Sequence, residues 1–237
     1  MIKSYCKINL FLRVLKKTHR DLHDIQTTAM LLDLHDKIRI KEIKKNKDEV
    51  LFTGLFKENI NNKTNSVINT LSLLRSQNFL NTSKKYQITI NKRIPVFAGL
   101  GGGTGNAVSI IKYFVKSKIS LKLIEKFENK IGSDLRLFFF NHTFQKTLKN
   151  VRSFKKKYNF HFLLVYPNVK SSTKIIFSKV KNFNKPLRVD PLKISSKKKY
   201  IKFLINETND LQKIVEKKHK KIKDVLNLIK FQKNCLF

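Results

Sequence analysis

The sequence predicts an α+β fold from three observations. Strand-like and helix-like patterns are mixed along the chain without the strict alternation of a doubly wound sheet. The chain has 237 residues, of which 41% are hydrophobic, so it is long enough to bury a sizeable core. Five of its seven glycines fall inside one seven-residue stretch, between a strand-like run and a helical pattern. These features indicate a folded chain of mixed class with one unusual glycine-rich connection.

The first part of the chain is rich in strand patterns. Apolar and polar residues alternate over residues 1–16, and again over 27–34 and 36–43. Residues 65–80 change to the spacing of an amphipathic helix, and residues 85–91 return to alternation. The patterns therefore predict three strands, a helix and a further strand.

The middle of the chain surrounds the glycine-rich stretch. A strand-like run at 94–98 precedes the glycines, and a helical pattern with one apolar face follows at 106–115. Another helix is predicted at 121–131. It leads through Gly132-Ser133-Asp134 into an apolar run at 135–140, which we expect to be buried. An acid directly before a buried run is a candidate functional position.

The last third of the chain has a different order of strand and helix patterns. Residues 160–166 are typical of a buried strand, while 171–179 and 201–206 favour helices. Residues 211–229 predict a basic amphipathic helix, and the proline- and serine-containing segment 182–198 predicts a loop or linker. No internal repeat is evident.

The glycine-rich stretch suits a phosphate group. Glycine lets a backbone turn tightly and approach a ligand closely, and the amides at the start of a helix carry partial positive charge. A Walker loop is excluded, because Gly105 is followed by Asn106 rather than by lysine. A dinucleotide fingerprint is excluded too, since the sixth positions counted from Gly99 and Gly101 are Thr104 and Asn106. A nucleotide loop of another class remains, with a ligand-free flexible turn as the alternative.

The formal net charge of +35 has two explanations. One is nucleic-acid binding through counterion release. The other is a base bias of the genome, because 43 of the 51 basic residues are lysine and residues with A- and T-rich codons are abundant. Sequence-specific readers of nucleic acid rely more on arginine and aromatic residues. We therefore favour base bias and do not expect a nucleic-acid partner.

Membrane and disulfide features are not indicated. No apolar run approaches the ~20 residues that span a bilayer, and the apolar N-terminal segment is interrupted by Asn9 and Arg13. We expect a cytoplasmic protein without a membrane partner. Cys6 and Cys235 have no metal-ligand spacing and are expected to be free thiols.

Several motifs, taken in this order, resemble the GHMP small-molecule kinases. The resemblance covers nearly the whole chain, and its more specific parts are the Lys-Ile-Asn-Leu opening and the glycine stretch. The motifs are Lys7-Ile8-Asn9-Leu10-Phe11-Leu12, His23-Asp24-Ile25-Gln26-Thr27, Asn65-Ser66-Val67, Pro95 to Thr104, Gly132-Ser133-Asp134, Tyr166-Pro167-Asn168-Val169 and Asn209-Asp210-Leu211.

The resemblance implies a two-domain architecture and a kinase reaction. Residues 1–148 would form a domain like ribosomal protein S5 domain 2, and residues 149–237 a ferredoxin-like domain, with the active site in the cleft between them. Within the family the motifs are most similar to members that use ATP and magnesium to phosphorylate a hydroxyl of diphosphocytidyl methylerythritol in non-mevalonate isoprenoid synthesis. Such a chain would be a monomer or a homodimer.

The resemblance also implies roles for single residues. Asp134 would take or orient the proton of the attacking hydroxyl, with Lys7 beside it. A carboxylate at the acceptor and a nearby cation are what phosphoryl transfer needs. Taken singly, Asp134 could instead be a cap and Lys7 a surface lysine. Their joint placement in the pattern favours catalysis.

Further positions carry over as binding residues. Asn65 would lie near the adenine, Asn9 and His23 would contact the cytidine end of the substrate, and the hydroxyl of Thr104 would reach the phosphate or magnesium. The predicted ATP-binding loop comprises Pro95, Ala98, Gly99, Leu100, Gly101, Gly102, Gly103, Thr104, Gly105 and Asn106.

The chain departs from the family pattern in several places. Thr104-Gly105 stands where the family usually has two serines, Leu22 replaces an aromatic residue beside His23, and Ser133 replaces alanine. A third glycine- and serine-rich motif, usual near the end of the family, is missing after residue 228. We therefore expect a truncated chain of impaired activity, or a minimal variant. The alternatives are another GHMP kinase, of homoserine or mevalonate type, and a basic RNA-binding protein on the same scaffold.

Overall fold

A computed structural model describes residues 1–18, 22–58, 60–116, 119–156 and 158–232. The chain divides into two compact units. Unit 1 comprises Met1–Lys7, Leu31–Val96 and Leu100–Phe140. Unit 2 comprises Ile8–Met30, Phe97–Gly99 and the chain from Asn141.

Two long paired strands, β1 (Ile2–Lys17) and β2 (His23–Ile43), contribute residues to both units. The sequence predicts two strands at 27–34 and 36–43, but β2 is continuous through both. Alternation changes at His35 and Asp36, which are polar and yet buried. The apparent break in the pattern is an inward-facing charge, which pairs with Lys92.

Unit 1 contains the strand order β3-β4-β2, with β3 at Glu49–Thr53 and β4 at Lys85–Asn91. Strand β4 runs antiparallel to β2 and pairs Ile90 with Ile38, while β3 runs parallel to β4. Both isoleucines are fully buried. The alternation predicts β4 with its observed bounds, whereas β3 is short and half-exposed, so no pattern marks it.

Three helices complete unit 1: α1 (Ser66–Ser76), α2 (Gly102–Phe114) and α3 (Leu121–Ile131). Their buried faces include Leu71 and Leu74 of α1, Ile111 of α2 and Phe127 of α3. The three predicted helices are confirmed, although α2 already begins within the glycine stretch. The run at 135–140 was expected to be buried, and burial holds for 135–138, whereas Phe140 is 45% exposed. Leu135–Phe139 forms a 3₁₀ turn.

The predicted strand at 94–98 is wrong, because this segment forms bends and turns. Pro95 has no N–H to donate to a strand neighbour, and Phe97 has a φ of 58°, outside the strand region. The N–H of Ile94 is already bonded to the carboxylate of Asp36, at 2.9 Å.

Unit 2 contains the hairpin of β5 (His142–Thr147) and β6 (Asn150–Ser153), with β5 antiparallel to β2. Its helices are α4 (Thr173–Phe177), α5 (Lys197–Ile205), α6 (Gln212–Lys218) and α7 (Lys220–Lys230). An aromatic core forms around Phe11, Phe144 and Tyr200, with Leu204 against them.

Two predictions for unit 2 are corrected. Residues 160–166 form no strand, and Leu163, Leu164 and Val165 are exposed. The single helix predicted at 211–229 is two helices, because the backbone at His219 has φ −132° and ψ 89°. Lysines lie on both sides of His219, and their mutual repulsion disfavours a continuous helix there.

Cys6 is buried with a free thiol, and burial raises its pKa to about 11. Cys235 lies outside the described residues. Among the helices that the structure describes, none combines the length and apolar character needed to cross a bilayer.

Candidate active site

The glycine stretch forms the N-terminus of α2. Gly101 caps the helix with φ 66° and ψ 23°, in the left-handed region that favours glycine, and its carbonyl accepts from the N–H of Gly105 at 2.9 Å. The first N–H groups of a helix have no acceptor within the helix itself. In α2 these groups belong to Gly102, Gly103 and Thr104, which makes this end of the helix suitable for an anion.

One side of the stretch is packed tightly against the protein. A Cβ at Gly101 would lie 2.5 Å from a ring carbon of Phe138, and a Cβ at Gly105 would lie 2.8 Å from the carbonyl oxygen of Tyr5. Packing alone therefore explains both glycines. Gly103 is exposed, and a Cβ there would meet only the Ser66 side chain, at 3.3 Å. The accessible part of the stretch is thus at Gly103.

Lys7 and Asp134 lie side by side in unit 1, next to this helix end. Lys7 Nζ is 2.9 Å from Asp134 Oδ2. The lysine side chain is only 6% exposed, whereas that of Asp134 is 36% exposed. The backbone N–H of Lys7 also donates to the carbonyl of Leu100 at 3.0 Å, which ties β1 to the glycine stretch. The structure thus brings the two predicted catalytic residues together, with the carboxylate accessible.

Thr104 lies beside the segment that carries Asp134. A Cβ at Gly132 would be 3.8 Å from Thr104 Oγ1, so the hydroxyl in the first turn of α2 adjoins the turn that follows α3. A hydroxyl and a carboxylate therefore come from neighbouring segments, and the contact of Thr104 with phosphate or magnesium stays a prediction.

Asn65 has a structural role in addition to its predicted contact with adenine. It caps α1, with Oδ1 accepting from the N–H groups of Val67 and Ile68 at 3.0 and 3.1 Å. Its Nδ2 donates to the carbonyl of Asn61 at 2.9 Å. The next residue, Ser66, donates from Oγ to the carbonyl of Gly103 at 2.8 Å. The starts of α1 and α2 are thereby joined.

Asn106 completes the predicted loop from inside α2. The residue is 2% exposed, and its Oδ1 has no hydrogen-bond partner among the described residues. A buried carbonyl oxygen without a partner is costly, so such an atom calls for an explanation. A bound ligand that donates to Asn106 would provide one.

Asp36 and Lys92 support the entry to the glycine stretch, and sequence reasoning missed both. The fully buried carboxylate of Asp36 pairs with Lys92 Nζ. It also accepts from the N–H groups of Arg93 and Ile94, at 2.7 and 2.9 Å. Lys92 Nζ lies 3.4 Å from the position of a Cβ at Gly102. The available signal was the charge of Asp36 at an inward-facing position of β2.

The start of the predicted loop is less enclosed. Pro95 is buried and Ala98 is half-buried. Gly99 has a φ of 74°, and a Cβ there would meet nothing within 4 Å. The carbonyl of Phe97 accepts from the N–H of Ser171 at 2.9 Å, which anchors this part of the loop in unit 2.

The predicted substrate residues Asn9 and His23 belong to unit 2. His23 is 8% exposed, and its ring centre is 5.3 Å from that of Phe177 and 6.3 Å from that of Phe183. Leu22, next to it, is 41% exposed. These ring contacts account for the burial of His23 by packing within unit 2. The cytidine contact of Asn9 and His23 stays a prediction.

Comparisons with known proteins bear on the fold and the family. Residues 65–135 match the model of the GHMP kinases N terminal domain. A crystal structure of 4-(cytidine 5'-diphospho)-2C-methyl-D-erythritol kinase superposes with a TM-score of 0.62 at 17% identity, over 96% of this chain and 81% of that one. A mevalonate kinase gives a TM-score of 0.51 at 16% identity, over 95% and 79%. At these identities the likeness concerns the fold, and the predicted α+β GHMP kinase fold is confirmed.

Sequence relatives identify the family within the GHMP kinases. A protein from Pelagibacter ubique (strain HTCC1062) named 4-diphosphocytidyl-2-C-methyl-D-erythritol kinase is 38% identical over 241 residues, which cover 100% of this chain and 83% of that protein. A protein of the same name from Buchnera aphidicola subsp. Schizaphis graminum (strain Sg) is 32% identical, over 95% of this chain and 77% of that protein. The chain therefore belongs to the GHMP kinases and, within them, to the 4-diphosphocytidyl-2-C-methyl-D-erythritol kinase family.

Proposed function

We propose that this chain is an ATP-dependent kinase that phosphorylates a hydroxyl of 4-diphosphocytidyl-2-C-methyl-D-erythritol. The observation that carries the proposal is the pair of Lys7 Nζ and Asp134 Oδ2, 2.9 Å apart beside the N-terminus of α2. The names of the relatives supply the substrate. A cytoplasmic location and a monomeric or homodimeric state stay predictions.

Asp134 provides the acid–base chemistry of the reaction. Its accessible carboxylate accepts a hydrogen bond from the substrate hydroxyl and orients the oxygen for attack on the γ-phosphorus of ATP. As the new P–O bond forms, the bond from the γ-phosphorus to the β,γ-bridging oxygen breaks, ADP leaves, and the carboxylate takes the hydroxyl proton. Lys7 holds the carboxylate in place and supplies positive charge close to it. Phosphoryl transfer depends mainly on positioning the reactants and on neutralising charge. The carboxylate supplies the first and the lysine ammonium the second.

The start of α2 fits the phosphates of ATP. The N–H groups of Gly102, Gly103 and Thr104 supply donors in the positive field of a 13-residue helix. Gly103 leaves room for close approach of a phosphate. Asn65, at the adjoining start of α1, is proposed to lie near the adenine.

A magnesium ion is proposed to bind beside these N–H groups, through oxygen atoms. The described residues contain no group of three or more His, Cys, Asp or Glu that could hold a metal by themselves. Mg²⁺ in kinases commonly uses one or two protein oxygens together with the phosphates of the nucleotide. Thr104 Oγ1 is the proposed protein ligand. When bound, the ion would neutralise charge on the phosphates.

Phosphoryl transfer to three alcohols tests the proposal. Release of ADP is measured with 4-diphosphocytidyl-2-C-methyl-D-erythritol, homoserine and mevalonate in separate reactions. We expect turnover with the cytidine compound only. Turnover with homoserine or mevalonate instead would identify another GHMP activity, and no turnover with any alcohol would contradict the kinase proposal.

Asp134→Asn tests the role of the carboxylate. We expect kcat to fall at least about a hundredfold, since the variant cannot accept the proton, while ATP affinity stays within about twofold. Asp190→Asn is the control, because it removes a carboxylate that pairs with Arg152 in unit 2, at 2.8 Å. An Asp134→Asn variant as active as the wild type would remove Asp134 from its proposed role.

A further inference from the structure

Asp134 lies on a short connection between α3 and the 3₁₀ turn, and a partly buried ion pair joins the two ends of that connection. Glu128 belongs to the last turn of α3, and Arg136 belongs to the 3₁₀ turn. Arg136 Nε donates to Glu128 Oε1 at 2.6 Å, and Arg136 Nη2 donates to Glu128 Oε2 at 2.9 Å. The segment that carries Asp134 is therefore fastened at both ends.

The geometry of this pair fixes orientation as well as distance. A planar guanidinium that makes two parallel bonds to a carboxylate constrains both groups far more than a single contact does. Arg136 is 8% exposed, and the side chain of Glu128 is 14% exposed, so water competes weakly for either group. Glu125 adds a second carboxylate, 3.9 Å from Arg136 Nη2.

The connection contains a glycine, so its backbone conformation depends on restraints such as this ion pair. Gly132 has a φ of 149°, where residues with side chains are rare, and glycine has the widest range of backbone conformations. The far end of the 3₁₀ turn has its own anchor, because Lys112 Nζ donates to the carbonyl of Phe138 at 3.0 Å. Arg136 and Glu128 anchor the near end, next to Asp134.

We propose that Arg136 and Glu128 are positioning residues, whose ion pair holds the Gly132–Asp134 segment so that the Asp134 carboxylate stays against Lys7. The proposal rests on the proposed kinase function, in which Asp134 meets the substrate hydroxyl. Small displacements of a catalytic group lower the rate of the chemical step more than they lower the binding of substrate. Loss of the pair therefore affects kcat and leaves ATP affinity nearly unchanged.

Glu128→Gln tests the proposal, because it removes the charge and keeps the shape. We expect kcat to fall about tenfold while KM for ATP changes by less than about twofold. Asp48→Asn is the matched control in unit 1. Asp48 makes the same two-pronged pair with Arg75, through Nε at 3.0 Å and Nη2 at 2.7 Å, but at the opposite end of α1 from the candidate site. The control should lose stability and keep its kcat.

Two results would overturn the proposal. One is an unchanged kcat in Glu128→Gln, and the other is an equal loss of kcat in both variants, which would indicate a purely structural role. Arg136→Lys is the second variant and covers the case in which Glu128→Gln does not fold. It keeps the positive charge but cannot make a bidentate contact with Glu128. We therefore expect kcat to fall, by less than in Glu128→Gln.

Amide hydrogen exchange separates this proposal from the kinase proposal. The N–H of Gly132 donates to the carbonyl of Glu128 and that of Leu137 to the carbonyl of Asp134, both at 3.0 Å. In Glu128→Gln, peptides that span 132–137 should exchange about tenfold faster than in the wild type or Asp48→Asn. Unchanged exchange there would contradict the positioning role even in an active enzyme. An inactive wild type would contradict the kinase proposal alone.

Discussion

His142 is a buried imidazole within the aromatic core of unit 2. It is 7% exposed, its ring is stacked on Phe154 with centres 3.8 Å apart, and its Nε2 shares a hydrogen bond with the hydroxyl of Tyr200 at 2.9 Å. The Tyr200 hydroxyl in turn donates to Thr28 Oγ1 at 3.2 Å. Burial lowers the pKa of His142 from 6.5 to about 4. The core therefore holds this residue in its neutral form.

This burial predicts a loss of stability in mild acid. Between about pH 6.5 and about pH 4 the unfolded chain binds a proton at His142 that the folded chain does not bind. The free energy of unfolding should therefore fall as the pH falls through this window, by about 3 kcal/mol in total from this residue. Urea unfolding at several pH values measures the slope.

His142→Phe isolates the contribution of this side chain. The variant keeps an aromatic ring against Phe154 but cannot titrate, so stability should depend less steeply on pH between about pH 6.5 and about pH 4. The control is His161→Gln, since His161 is exposed and its replacement should leave the slope unchanged. Equal slopes in His142→Phe and the wild type would show that His142 is not the group responsible.

At the scale of single residues, sequence reasoning located Lys7 and Asp134 through the order of the motifs around them. It missed the Asp36–Lys92 and Arg136–Glu128 pairs. The members of each pair belong to different structural elements, so their contact leaves no periodic pattern in the sequence. Asn65 shows a different limit. An Asn-Ser pair before a helical run is the signature of an N-cap, and this signal was available in the sequence.

The N-terminus of α2 is the element that distinguishes a phosphate site from a tightly packed turn. Gly101 and Gly105 are explained by packing against Phe138 and β1, so replacing them would disturb the fold itself. Gly103 is exposed in the first turn of α2 and has ordinary helical backbone there. A change at Gly103 can therefore affect a bound anion while only the Ser66 side chain, 3.3 Å from a Cβ there, has to shift.

Gly103→Asp separates folding from ATP binding. A carboxylate in the first turn of a helix is favourable by about 0.3–1 kcal/mol, so the unfolding temperature should stay level or rise. The same charge repels the phosphates of ATP, and we expect KM for ATP to rise at least about tenfold. Nucleotide titration and thermal unfolding measure the two effects.

Lys122→Gln is the control for this variant. Lys122 is exposed in the first turn of α3, and its replacement also makes the chain more negative by one unit. It should leave KM for ATP unchanged. An unaltered KM in Gly103→Asp would place the phosphates away from the start of α2, and a raised KM in both variants would point to the overall charge instead.

The elements of regular period were the most predictable. Strand β4 and helix α3 have the predicted bounds, because alternation in β4 and one apolar face in α3 match their burial. The predicted strand at 94–98 is wrong because backbone hydrogen bonds, which the side-chain pattern does not show, go to Asp36. Strands β5 and β6 were missed since polar residues such as Thr143 and Gln145 are buried in β5.

At the scale of the whole molecule, each compact unit is assembled from separate pieces of chain. Met1–Lys7 belongs to unit 1 together with Leu100–Phe140, while Ile8–Met30 belongs to unit 2. Such groupings depend on pairings between residues far apart in sequence, which local patterns do not reveal. A domain boundary at residue 148 stays a prediction.

The excess of positive charge is a property of the molecule as a whole and predicts a salt effect on stability. The chain has 51 lysine and arginine residues against 16 aspartate and glutamate residues. Repulsion among like charges therefore outweighs the attraction available from ion pairs, and it is strongest when salt is low. Raising NaCl from about 10 mM to about 300 mM shortens the Debye length to a few ångströms, and the unfolding temperature should rise.

Thermal unfolding followed by circular dichroism at pH 7.5 measures this effect, with sucrose of matched osmolality as the uncharged control. Screening depends on ionic strength, so NaCl and KCl at equal concentration should give equal shifts of the unfolding temperature. These shifts should level off at high salt, whereas the effect of sucrose, which is uncharged, should not level off in this way. An unfolding temperature that falls as NaCl rises would show that attractive ion pairs such as Arg13–Glu207 and Arg75–Asp48 dominate the electrostatic free energy of folding, despite the net charge.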